Sequence, residues 1–124
     1  MDTRELEAMV SRPADVRYKY FVKRVVDEEI VWGLFEDGWM TTQDEKGNRL
    51  VPFWPKKEFA KHCAINDWQN GTPKSIDLYE FIETFLPDMY QKGYKASIFY
   101  NNEDSIVIKM ERLLADLETE LEKY

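Results

Sequence analysis

Leu78, Phe81, Ile82, Phe85, Leu86 and Met89 recur at spacings of 0, 3, 4, 7, 8 and 11. That is the repeat of one apolar helix face, and it is the cleanest period in the chain. Such a face must lie against another apolar layer, because leaving it wet forfeits the burial that drives folding. Asp77 is placed to cap this helix, and Pro87 ends or kinks it near Leu86. A further turn then runs to Lys92, with Gly93 at the left-handed position just past the end.

Four other segments read as helices. Asp2 to Glu5 has the pattern of a capping box and opens a short helix from Thr3 to Val10. Pro13 opens a second, to about Val26, with Tyr18, Phe21, Val22 and Val25 on its apolar face and Arg17, Lys23 and Arg24 opposite. Pro55 to about Ile65 buries Phe59, Ala60, Cys63 and Ala64. A last helix presents Leu113, Leu114, Leu117 and Leu121, with acids on its other faces.

The remainder reads as strands. Ile30–Phe35 is apolar and β-rich, and Asp37-Gly38 is a favoured tight-turn dipeptide. Trp39–Gln43 returns, Asp44–Asn48 turns again, and Arg49–Trp54 forms a third strand. Pro52 has no N–H to give a ladder, so it marks an edge strand or a strand end. Residues 66–74 read as a loop. Tyr94–Tyr100 and Ser105–Met110 form a hairpin about Asn101–Asp104.

Grouped helices and tight turns predict an α+β fold with an antiparallel sheet of about five strands, a three-stranded meander plus a hairpin, and helices mainly on one face. At 124 residues the chain suits a single domain, 1–124, with residues 1–12 as a helical extension.

Composition excludes several classes. No apolar run reaches the ~20 residues of a membrane helix, and no secretory h-region follows the start. Cys63 is the one cysteine, which rules out an internal disulfide and suggests a reducing, cytoplasmic setting. The net charge of −7 disfavours nucleic acid. Residues 1–62 hold 12 acids and 11 bases, whereas residues 63–124 hold 12 and 6, so the excess lies in the second half. It is either ordinary solubilising charge or a face that steers a basic partner.

Catalytic signals are weak. His62 and Cys63 are adjacent, and adjacent helical side chains diverge by about 100°, so they do not form a nucleophile–base pair. One His and one Cys cannot supply a zinc site, and Asp44–Asn48 lacks calcium-loop spacing. The glycines at 33, 38, 47, 71 and 93 are scattered, so no phosphate loop or other cofactor motif is present. The acids at 27–29 and 36–37 read as solvated turn residues. Arg12, Arg17, Lys19, Lys23 and Arg24 read as the wet side of a helix before an anion patch.

The tryptophans are the better lead. Trp32, Trp39 and Trp54 fall in the meander and Trp68 in the next loop. Each is either core, with its indole N–H bonded to backbone, or part of a contact surface. The candidate binding surface is Asp37, Trp39, Trp54 and Trp68 with the acids of the last helix, Glu118 and Glu122 among them.

Three stretches carry a family resemblance: Val31–Phe35 with Asp37–Trp39, Val51–Ala60, and Ile76–Phe81 followed by Leu86-Pro87. They resemble the bacterial family of unknown function numbered 2750, from about Tyr18 to the C-terminus. The resemblance implies a small cytosolic α+β domain and makes the Trp-rich meander the family's hallmark. It implies no activity.

These observations favour a non-enzymatic interaction module, of immunity or regulatory type, that binds a basic protein. The alternative is a sensor of a small molecule or peptide, with a Trp-lined pocket between the meander and the Trp68 loop. An enzyme using carboxylates or His62 is a third reading.

Overall fold

The computed structural model describes residues 1–124. Its elements are α1 (Thr3–Val10), α2 (Ala14–Glu28), β1 (Ile30–Phe35), β2 (Thr42–Gln43), β3 (Arg49–Phe53) and α3 (Lys57–His62). A 3₁₀ turn (Asn66–Trp68), β4 (Thr72–Asp77) and α4 (Leu78–Glu80) follow. A π-helical turn (Phe81–Phe85) leads into α5 (Leu86–Gln91), β5 (Lys95–Ile98), β6 (Ile106–Lys109) and α6 (Met110–Leu121). The mixed α+β class is as expected. No helix is long and apolar enough to cross a membrane.

The strands do not form one five-stranded sheet. β1 pairs with β4 alone, and β2-β3-β5-β6 form a second sheet. The two meet where Trp32 and Trp54 exchange backbone hydrogen bonds, at 3.0 and 2.8 Å. The expected meander is therefore broken. β1 turns away to β4 in antiparallel register, Ile30 opposite Asp77, and the Asp37 turn closes only a Phe35–Trp39 bridge. β3 and β5 run parallel, Leu50 opposite Lys95, where an antiparallel sheet was expected.

Pro52 lies inside β3, which is a central strand. The outer side of β3 is shared between β2, at Arg49 and Leu50, and β1, at Trp54. Pro52 falls between the two, so its missing N–H costs no ladder bond.

β4 replaces the end of the expected loop. Thr72-Pro73-Lys74-Ser75 is polar and mostly exposed because this strand has a free edge. Asp77 then accepts from the Tyr79 and Glu80 N–H groups and caps α4. Pro87 clashes with an α-helical carbonyl four residues back. The widened turn before it, closed by Leu86 N–H to Phe81 O, relieves that clash and keeps Leu86 and Met89 buried. Gly93, at φ +74°, ends α5 in a Schellman motif: Gly93 N–H donates to Tyr90 O and Tyr94 N–H to Met89 O, both at 3.0 Å.

Pleat alternation divides the four-stranded sheet. Val51, Phe53, Ala96 and Ile98 face the core, where Phe53 meets Phe81 edge-on at 4.9 Å. α2 and α6 pack against β5 and β6 on this side, the π turn meets Phe53, and α5 packs on α6. Leu50, Ser97, Val107 and Lys109 point to the other side, which carries no long helix.

Candidate functional site

The side of the sheet away from the helices holds a cleft of about 340 Å³. Its floor is Leu50, Ser97 and Ser105, and Trp68, Tyr100 and Asn102 wall it. Ser97 is almost fully buried, and its hydroxyl donates to the Ser105 hydroxyl at 2.7 Å. The 3₁₀ turn reaches over the floor because the Trp68 indole N–H leans on Thr41 O at 3.4 Å. The Trp68 ring stands perpendicular to Trp54 at 6.0 Å and near-perpendicular to Tyr100 at 5.8 Å. Asp67 is the one charged residue in the lining.

The wall from Phe99 to Asp104 is an irregular segment held by unusual means. Phe99 has φ +55° and is buried, and Asn102 has φ +75°. A bulky residue in this region is strained unless its surroundings enforce it. Arg17 enforces it. Its Nε donates to Phe99 O at 3.0 Å, and its Nη2 donates to Asp104 O at 2.8 Å and Asp104 Oδ1 at 2.6 Å. Nη1 donates to Arg12 O. Asn101 adds a bond from Nδ2 to Val10 O at 2.7 Å, tying the segment to the end of α1.

Arg17 is therefore not on the wet side of its helix. It is the one charged side chain in the buried set, 1% exposed. The basic face loses a member, and the periodicity contains the reason. Arg17 precedes Phe21 by four residues, which puts both on one face.

Trp54 is a second correction. It is fully buried, so it cannot touch a partner. Its indole N–H donates to Tyr100 O at 2.9 Å, and the Cys63 thiol donates to the same oxygen at 3.1 Å. Both lone pairs of that carbonyl are thus engaged, and the cleft wall is fixed from behind. Burial pushes the Cys63 thiol up to about 12, so it stays protonated and non-nucleophilic at neutral pH. His62 lines a different hollow, between the end of α1 and the outer side of the Asn101–Asp104 turn.

The other candidate residues scatter. Asp37 is exposed in its turn at φ +57°. Trp39 is half-buried, near-perpendicular to Phe35 and Phe85, with Lys74 Nζ 5.5 Å from its ring. Glu118 and Glu122 lie at the end of α6, on the helix-covered side of the sheet. Only Trp68 of the six lines the cleft. Ser97, Tyr100, Asn102 and Ser105 were not singled out by sequence. The available signal was Ser97, a lone polar residue between Ala96 and Ile98 in a buried strand.

The sequence matches the family of proteins of unknown function DUF2750 over residues 18–117. The chain belongs to this family. The DUF2750 match takes in every residue lining the cleft and begins one residue after Arg17. No curated protein matches the chain.

Proposed function

We propose that this DUF2750 chain is a non-enzymatic binding module whose site is the cleft under Trp68, and that it takes a small polar molecule bearing a positive charge. The observation that carries this reading is the lining itself. One aromatic wall, a paired Ser97–Ser105 hydroxyl floor and the Asn102 amide converge on a space of about 340 Å³ in which Asp67 is the only charge. That volume lies in the range of small-ligand clefts. An aromatic wall beside a carboxylate suits a cationic group, through ring quadrupole and Coulomb attraction together. No activated nucleophile supports catalysis here, since the one thiol is protonated. A reducing, cytoplasmic setting suits that thiol.

Docking of a basic protein through Asp37, Trp39 and the acids of α6 would draw on residues from separate parts of the surface, which gives it less support. The test is a tryptophan-fluorescence titration of the full chain with a panel of small amines, zwitterions and acids. A saturable response to a cationic member, lost in Trp68→Ala and weakened at least tenfold in Asp67→Asn, is the expected result. No saturable response across the panel overturns the reading.

A further inference from the structure

The floor of the Trp68 cleft continues along the sheet to a lysine. Leu50, a floor residue, lies directly opposite Lys95 in the parallel pair of β3 and β5. Ser97, another floor residue, is two positions from Lys95 on β5. Side chains two apart on a strand share a face, so Lys95 projects on the cleft side of the sheet. Lys109 lies opposite it on β6, and like charges so placed repel. The charge of Lys95 is felt on the β2 side, across Leu50. There the Asp44 carboxyl is held below its usual value, first by the Asn48 amide and also by Lys95.

Lys95 and Asp67 are thus opposite charges at one cleft, and neither is spent. Neither belongs to an ion pair of the chain, and they do not reach each other. Beside Lys95, the serine pair also has a proton to give. Ser97 donates to Ser105 at 2.7 Å, and the Ser105 hydroxyl donates to nothing in the protein. A simple amine in the cleft would answer Asp67 and leave the Lys95 and Ser105 donors unanswered. A simple acid would answer those donors and face Asp67.

We infer that the occupant of this cleft is a zwitterion of the amino-acid class, with its ammonium toward Asp67 and Trp68 and its carboxylate toward Lys95 and the Ser97–Ser105 pair. This rests on the reading of the cleft as a site for a cationic molecule and adds the second charge. Leu50 and Ile65 meet the carbon skeleton, and Ile65, 47% exposed, loses apolar surface to it. Lys95 is then the specificity-determining residue, because it separates an amino acid from the corresponding amine. Lys109 adds to the positive potential at that end.

The test is calorimetric titration of the full chain with leucine, leucinamide, isoamylamine and 4-methylpentanoate. A second set, 6-aminohexanoate and its amide, sets the two charges farther apart. One of the two zwitterions is expected to saturate a single site about tenfold more tightly than its own amide, with the acid silent. Which of the two binds reads out the spacing of the charges. Lys95→Met keeps most of the aliphatic stem and should weaken that zwitterion about tenfold while leaving the amide unchanged. Asp67→Asn should weaken both. Zwitterions that bind no more tightly than their amides, or zwitterion binding that Lys95→Met leaves intact, overturn the inference. The amines then still bind, and the reading of the cleft as a cation site stands. Silence from every probe overturns both. An unchanged unfolding midpoint in Lys95→Met separates loss of binding from loss of fold.

Discussion

Arg17 Nη2 donates to both the backbone carbonyl and the carboxylate of Asp104, across 87 residues of chain. With its bonds to Phe99 and Arg12, this one guanidinium ties α2 to the cleft wall. Arg17→Met keeps the volume and removes every donor, leaving buried carbonyls without partners. The expected loss is about 3 kcal/mol in urea unfolding at unchanged slope. Asp104→Asn should cost less than about 1 kcal/mol, because that carboxylate is 62% exposed and the carbonyl bond remains. Equal losses in the two variants would contradict this division of labour.

Tyr18 sets an alkaline limit. Burial, and then its hydrogen bond to Asp116, raise its hydroxyl above the ordinary value of 10.0. The folded state holds this proton where the unfolded chain releases it. The contribution is therefore complete below pH 10 and falls as pH rises through the folded value. Stability measured between pH 9 and 11 should decline less steeply in Tyr18→Phe than in the parent. A parallel decline would show that other groups govern the limit.

Gly33 sits under Trp39. A Cβ at residue 33 would lie 3.0 Å from two atoms of the indole ring. That ring is held against Phe35 and Phe85, so it cannot simply swing aside. Gly33→Ala is expected to destabilise by about 1–3 kcal/mol and to shift the tryptophan emission. An unaltered emission spectrum with unaltered stability would mean that Trp39 has room to move.

Cys63 should resist alkylation while the chain is folded. Its raised thiol value and 1% exposure leave little thiolate to react. Modification by iodoacetamide at pH 8 is expected to be at least a hundredfold slower in buffer than in denaturant. Comparable rates would show that the cleft wall opens readily.

Local rules carried most of the helices. The Asp2 cap, the α1 bounds, the Asp77 cap and the Gly93 terminus follow from side chains within a turn of one another. What failed was non-local. β4 carries Pro73, Lys74 and Ser75 because its free edge asks for no apolar alternation. The parallel pairing of β3 with β5 joins residues some 45 apart, beyond any turn signal. Arg17 carries a charge, which by itself suggests a wet position, yet its helical phase is that of Phe21 and it is buried. The meander and the Trp68 loop point to one side of the cleft, but no local signal points to its floor: Ser97 and Ser105 come to line it with Trp68 only through that non-local pairing.

The bond from Cys63 to Tyr100 O has a spectroscopic use. This is the only thiol in the chain, and its S–H is a weak donor whose stretch falls clear of every other protein band. The oxygen it touches belongs to the cleft wall. An infrared spectrum of the unlabelled protein therefore contains one isolated line that reports on that wall. Any occupant that moves Tyr100 should shift or broaden it, with no dye, tag or substitution required.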